Sequence, residues 1–400
     1  MLVINDKVAI DEYNKETDCA VLDSIATSYG NLLGKPSKKV RIIVTIPAKD
    51  EEQNIAHCLN SLAGQYASVH TKLENDLYEV LVVCHNCIDN TALVCEQFKR
   101  AHPEFRMEYI RINHSAVNNV GAVRRILMHI AATRLSHENG YIATTDADTL
   151  SDRFWIANLL GYVNSKYGLI CGRIDIDFNS VPNRARAILE QKQYYFHLRA
   201  KLDHLLHPKA SDPWPRHAHK SGPNLAVRKN VYGAIGGILP KGFREDIALY
   251  QSVRSAGFKV RHCPDTIVST SGRQTSKTPE GFGSEIKLWN GSKRISYKVE
   301  GLDSILAKSR VFKAIHRYYR NPTKQAMAFA METIENHTEI LLPYFLKFKS
   351  APPLIIELEN ELEQIPFWKN KYPLQEISEA IAEIESYVGT NSKLFSKFED

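Results

Sequence analysis

Long apolar runs are missing from this 400-residue, 45.4 kDa chain. No stretch approaches the roughly 18 consecutive apolar residues that a membrane helix needs. The opening MLVINDKVAIDEYNKETD has acids where a secretory signal needs a basic start and an apolar stretch. Both features predict a cytoplasmic protein with no transmembrane segment. Cysteine is sparse: the seven, at positions 19, 58, 84, 87, 95, 171 and 263, are odd in number and scattered. That pattern suits buried free thiols in a reducing compartment better than a disulfide framework. An excess of either charge is also lacking, with 51 Lys and Arg against 45 Asp and Glu and no long basic run. No nucleic-acid partner is expected from a net charge of +6, which suits a small polyanionic ligand equally well. The sequence has no GxGxxG after a strand, no GxxxxGK[ST] and no GxSxG. Dinucleotide-binding, P-loop and serine-hydrolase readings therefore lose their motif support. It also has no internal repeat and no low-complexity tract.

What is present is an alternation. After the breaker-rich GKPSKK come RIIVTIP, then Ile55, Leu59 and Leu62 at helical spacing, YEVLVV (78–83), a helical stretch from Thr91, and MEYIRI (107–112). A helix from Gly121 to about Arg134 and YIATT (141–145) complete the series. Strands and helices alternating at this length predict a parallel sheet covered on both faces. Ligands bind at the carboxyl ends of such strands, so IPAKDEE, VCHNCIDNT and TTDADT should converge on one crevice. Further on, a helix near 154–166, the strand LICGRIDI, a helical run from about Asn183 to Leu206 and a turn-rich segment precede GPNLAVRKNVYGAIGG and REDIAL. From about Leu302 only helical patterns remain. One stripe carries Met327, Met331, Ile334, Leu341, Phe345 and Phe348, and another Leu374, Ile377, Ile381, Ile384 and Val388.

Asp146-Ala147-Asp148 directly follows a strand, where carboxylates at i and i+2 face the same way. Paired hard oxygen ligands suit Mg2+ or Mn2+, which take one or two carboxylates together with substrate phosphates. The plainer alternative is a polar loop capping the next helix. Glu245-Asp246 opens an amphipathic stretch, where acids are favoured by the helix dipole; the pair could equally place a general base across the cleft from the metal. His217 and His219 are candidate ligands, or histidines of a proline-rich loop. Cys84 and Cys87, with no second CxxC and no clustered histidine, are read as small loop residues near a ligand. Arg273 in STSGR is a candidate phosphate anchor, although an arginine in a turn is usually only solvated.

Taken in order, IPAKDEEQNIAHCLNSL, VLVVCHNCIDNTA, NNVGAVRR, TTDADT, GPNLAVRKNVYGAIGG and REDIAL resemble the family 2 glycosyltransferases of the GT-A fold, in the flavour of bacterial members with a TDADT metal motif. The likeness runs from about Arg41 to Arg273. It implies an α/β fold with a Rossmann-like, mostly parallel central sheet. A lead-in (1–38), a GT-A domain (39–300) and a C-terminal helical extension (301–400) are expected. The implied activity is metal-dependent transfer of a sugar from a nucleotide diphosphate sugar to an unidentified hydroxyl or amine acceptor, with inversion. A nucleotidyltransferase, or a nucleotide-sugar binding protein without turnover, are the alternatives.

Carried over by position, Pro47, Ala48 and Glu51 line the base and ribose, and Asp89 belongs to the second nucleotide loop with His85 and Asn86. Asp146 faces the ribose or sugar and joins Asp148, the main ligand of a Mn2+ or Mg2+ ion. Asp246 is the implied base, with Glu245 beside it, and Gly222, Pro223 and Asn224 form the turn under the donor sugar or acceptor. Two departures stand out. Cys84-His85 replaces the Asp-Asp that many members carry, whose Asp commonly reads uracil, so although the resemblance favours a UDP-sugar a GDP-sugar stays open. A third, histidine ligand has no match in DTIVSTSGR, so water or His262 would have to complete the coordination.

Overall fold

The computed structural model describes residues 18–278, 281–291, 297–332, 343–345 and 347–391. These fall into two compact units, one drawn from Met1–Arg186, His219–Val253 and Phe258–Gly291, the other from Ala187–Ala218, Arg254–Gly257 and Ser292–Asp400.

The first unit is built on strands β1 (Ile42–Ala48), β4 (Tyr78–His85), β5 (Met107–Ile112), β6 (Tyr141–Thr144), β7 (Thr149–Ser151), β8 (Tyr167–Asp177), β9 (Leu225–Arg228) and β10 (Lys259–Ser271). A small hairpin of β2 (Tyr66–Ser68) and β3 (Thr71–Lys72) stands apart. The eight strands form one sheet in the order β5-β4-β1-β6-β9-β8-β10-β7. β5, β4, β1 and β6 pair in parallel, as do β8 and β10, while β9 and β7 run antiparallel to their neighbours. This is a Rossmann-like, mostly parallel sheet, as the alternation of strands and helices leads one to expect. The antiparallel strands matter to function: the amino ends of β7 and β9 lie at the same edge as the carboxyl ends of β1, β4, β6, β8 and β10.

β1 and β4 are mostly apolar and buried along nearly their whole length because both faces are covered. On one face Ile42, Val44, Ile46, Val80 and Val82 pack with helices Ile55–Ala63, Thr91–Ala101 and Trp155–Leu160. On the other, Ile43, Leu81 and Val83 pack with helices Cys19–Gly30, Val120–Arg134 and Glu245–Ser255. The helix Cys19–Gly30, from the lead-in, thus contributes Leu22 and Ala26 to the core of the sheet. The helix expected near 154–166 is only Trp155–Leu160, capped at Gly161.

The second unit is helical. Ile377 and Ile384 are buried against Tyr195, Leu198 and Leu202 of the long helix Asn183–Leu206, with Ile381 and Val388 partly buried beside them. Leu374 precedes the helix Ile377–Thr390 and is half exposed, so it drops out of the expected stripe. Phe345 is buried with Ala307, Val311 and Leu354, and Met327 and Phe348 flank them. Ile334 and Leu341 of that stripe lie outside the described residues. Among the described residues, no helix is long and apolar enough to cross a membrane.

Candidate active site

The three loops expected to converge do so, at the carboxyl edge of β1, β4 and β6, and hydrogen bonds between them fix the arrangement. Asp50, with φ of 52°, accepts from Ile88 N–H at 2.8 Å. Glu51 N–H donates to Thr91 Oγ1 at 2.7 Å, and Glu52 N–H to Asp89 Oδ2 at 3.0 Å. Asp89 Oδ1 accepts from Thr91 N–H and from its hydroxyl. Although burial opposes its charge, these hydrogen bonds and Lys277 hold the Asp89 carboxyl below the usual range. Potential ligand atoms of Asp50, Cys87 and Asp89 lie within 4.8 Å of one another. Both Asp89 oxygens and Asp50 Oδ1 already accept donors, and burial pushes the Cys87 thiol up to about 11. The cluster therefore acts as the tie between the two loops.

Pro47 and Ala48 end β1 beside this tie. His85 ends β4, buried, with Nδ1 unpartnered. Asn86 (φ 46°) is spent on the loop after β5: its side-chain amide donates to Val117 O at 2.8 Å, and its Oδ1 accepts from His114 N–H at 3.1 Å.

Two arginines organise the acids. Arg124, on the helix Val120–Arg134, is 3% exposed. Its Nη2 meets Asp146 Oδ1 at 2.5 Å and its Nε donates to Glu245 Oε1 at 3.0 Å. Nη1 is buried without a partner. Burial opposes the charge of Arg124, but Asp146, Glu245 and Asp246 outweigh it and its pKa rises. Glu245 shifts the other way energetically: burial and the adjacent Asp246 push its carboxyl well up from the ordinary range, and one guanidinium does not offset them. Gly222 lies so close that a Cβ there would sit 2.5 Å from Arg124 Nη2. The second arginine, Arg273, donates from Nη1 to Glu51 Oε2 at 2.8 Å and from Nη2 to Glu51 Oε1, with Nη2 also 3.1 Å from Asp148 Oδ2. Burial and Asp146 raise the Asp148 carboxyl to about 6 despite Arg273.

Asp246 is part-exposed at the start of its helix. Its Oδ2 accepts from Gly222 N–H at 2.7 Å and its Oδ1 from Ile247 N–H at 2.6 Å. Asn224 is otherwise placed than a ligand-contacting residue requires. It is 2% exposed, its Nδ2 donates to Arg173 O and Thr266 O at 2.9 Å each, and its Oδ1 accepts from Trp155 Nε1 at 2.9 Å. With both donors used, it knots β8, β10 and the Trp155 helix beneath the site. His262 pairs with Cys171, which is level with Leu225 and so with Thr144 at the end of β6, and its ring lies 5.8 Å from that of Tyr250.

Residues 43–218 match the family model described as glycosyl transferase family 2. That segment of the chain is similar to the family 2 glycosyltransferases. Over 230 residues it is 24% identical to the probable glycosyltransferase YdaM of Bacillus subtilis (strain 168), covering 57% of this chain and 50% of that protein. The chain thus spans about half the length of the curated relative it matches. Structurally it is similar to the mannosyltransferase PcManGT of Pyrobaculum calidifontis, solved with GDP-Man and Mn2+, at 13% identity and a TM-score of 0.42 over 93% of this chain and 97% of that one. S. aureus TarS 1-349 matches at 11% identity and a TM-score of 0.42, over 80% and 92% of the two chains.

Sequence reasoning missed Arg124 as a site residue. The only signal was a pair of arginines on the otherwise apolar helix opened by NNVG. It also left His219 open as a ligand, whereas Nδ1 of that residue accepts from Ile174 N–H at 2.8 Å, a structural bond. Burial lowers His219 and, together with Lys49, His85 to about 4, against an ordinary 6.5. Between those values the unfolded chain binds more protons than the folded one, so stability is full above pH 6.5 and falls as pH drops towards 4. Each histidine accounts for up to about 3 kcal/mol of that loss. In His219→Gln, whose amide oxygen can still accept from Ile174, urea midpoints at pH 7 and pH 4.5 should differ less than in the parent. Equal differences would remove His219 from the acid response.

Proposed function

We propose that this domain transfers a sugar from a nucleotide diphosphate sugar to a hydroxyl or amine acceptor, with inversion at the anomeric carbon. The observation that carries the reading is the meeting, at one sheet edge, of the Asp146-Ala147-Asp148 loop with the Glu245–Asp246 helix start, bridged by buried Arg124. Asp146 and Asp148 offer hard oxygen donors, and the raised Asp148 carboxyl marks a place short of positive charge, so the donor set fits Mn2+ or Mg2+. Bound there with the diphosphate, the ion would supply charge neutralisation for the leaving group.

The chain's own residues do the rest. Pro47, Ala48, Glu51, His85 and Asp89 surround the place for the nucleoside at the ends of β1 and β4. Asn86 and Asn224 hold the loops that shape it. Asp246, oriented by two backbone N–H groups, retains a lone pair on each oxygen and takes the acceptor proton. The acceptor oxygen or nitrogen bonds to the anomeric carbon as the bond to the diphosphate oxygen breaks. The electron pair leaves on the diphosphate, and a single displacement inverts the centre.

A thermal-shift series with UDP, GDP and other nucleoside diphosphates, in Mn2+ and in chelator, tests the reading. One of them at about 100 times its Kd should raise the melting temperature by roughly 5–10 °C with Mn2+ and hardly at all in chelator. No shift with any nucleotide would overturn it.

A further inference from the structure

The cation nearest the Asp148 carboxylate is Arg273, and its placement bears on the order in which ligands enter. Glu51 is 5% exposed and is held by Asn54 Nδ2 at 2.7 Å as well as by the Arg273 fork. Arg273 Nη2 spans from Glu51 to Asp148. One guanidinium thus satisfies two carboxylates that would otherwise repel across the cleft. The backbone carrying it is fixed: Gly272 N–H donates to Ser180 Oγ at 2.7 Å, and Gly283 lies so close that a Cβ there would be 2.9 Å from Arg273 O. The side chain is therefore the part free to move.

An ion bound to Asp148 oxygens at about 2.1 Å would stand within a few ångström of Nη2, two cations competing for one acceptor. The guanidinium has a ready alternative, because its planar fork matches a phosphate as well as a carboxylate. We propose that Arg273 is the resident counter-cation of the Glu51–Asp148 pair and exchanges with the entering metal, leaving Asp148 for the donor's diphosphate. Resting on the reading of Asp148 as a metal ligand, this makes metal and nucleotide bind as a unit: the metal alone must displace Arg273 with nothing to receive it. Arg273 is then a specificity residue for the diphosphate and a brake on metal binding to the empty site.

The test counts free Mn2+ by electron paramagnetic resonance over the full chain, as wild type, Arg273→Gln and Arg273→Lys, with and without UDP or GDP. Without nucleotide, Arg273→Gln should bind Mn2+ roughly tenfold or more tighter than wild type, because the competing cation is gone. With nucleotide it should hold the Mn2+ complex roughly tenfold or more weakly, because the phosphate partner is gone. Adding Asp148→Asn to Arg273→Gln should cancel the gain in Mn2+ binding. Equal Mn2+ affinity of wild type and Arg273→Gln, or a gain that survives Asp148→Asn, overturns the exchange. The Mn2+-only comparison stands apart from the glycosyltransferase reading: if wild type binds no nucleotide, that reading fails while the comparison still decides the role of Arg273. Should Arg273→Gln not fold, Arg273→Lys keeps one charge but loses the fork, and unchanged affinities for both Mn2+ and nucleotide in it overturn the proposal.

Discussion

Asp246→Asn should lower kcat by roughly a hundredfold or more, the usual worth of a positioned general base, while nucleotide–metal affinity stays near the parent value. Asp148→Ala should instead lose metal-dependent nucleotide binding and activity together, because it acts on the ground-state complex. The Asp246 geometry sharpens the comparison. Both of its oxygens accept backbone N–H groups, from Gly222 and Ile247. Asparagine can accept through only one atom, so one of these donors loses its partner at a cost of about 1–3 kcal/mol. The melting temperature and the nucleotide affinity of the Asp246→Asn preparation therefore have to be measured beside its rate. A hundredfold fall in kcat with affinity intact and only a modest loss of stability identifies the base. Loss of nucleotide binding makes Asp246 a tether for the 219–224 loop, and normal turnover removes it from the mechanism.

The central sheet and its working edge were legible because RIIVTIP, YEVLVV and YIATT are short apolar runs separated by helical periodicity, a pattern few architectures share. The meeting of IPAKDEE, VCHNCIDNT and TTDADT followed from parallel pairing alone. What was not legible depends on partners distant in the chain. Whether Arg124 faces water or three carboxylates is decided by residues 22 and 121 positions away. Asn224 sits in a motif that reads as ligand-facing, yet Trp155, Arg173 and Thr266 take up its amide. The helix of the lead-in buries only Leu22 and Ala26, too sparse a stripe to announce itself, and its place was settled by Asp23, which receives both Nε and Nη2 of Arg125. Arg125 in turn donates to Ile238 O, on the way to the Glu245–Asp246 pair. Adjacent arginines of one motif therefore serve different ends, Arg124 joining the acids of the site and Arg125 anchoring the chain that delivers them.

Arg124→Met should be the most damaging single change to stability among the site residues. Methionine fills much of the same volume but leaves Glu245, 5% exposed, without its guanidinium, and breaking a buried pair from one side costs about 3–5 kcal/mol. That corresponds to a melting temperature roughly 10 °C lower for a unit of this size. Glu245 would answer by taking up a proton, since burial and Asp246 already raise its carboxyl and Arg124 is the foremost of the influences that lower it. An acid whose folded-state pKa lies above its unfolded value binds more protons folded than unfolded, so its contribution to stability declines as pH rises. The deficit of Arg124→Met should accordingly be larger at pH 8 than at pH 5. Removing both ends of a buried pair costs far less than removing one, so adding Glu245→Gln should restore much of the melting temperature. Nucleotide–metal binding should not recover with it, because Asp146 would still lack the guanidinium that holds it at 2.5 Å. A deficit independent of pH and untouched by Glu245→Gln would mean that Arg124 stabilises the domain through the packing of its stem, and that its charge bridge between Asp146 and Glu245 carries no energy.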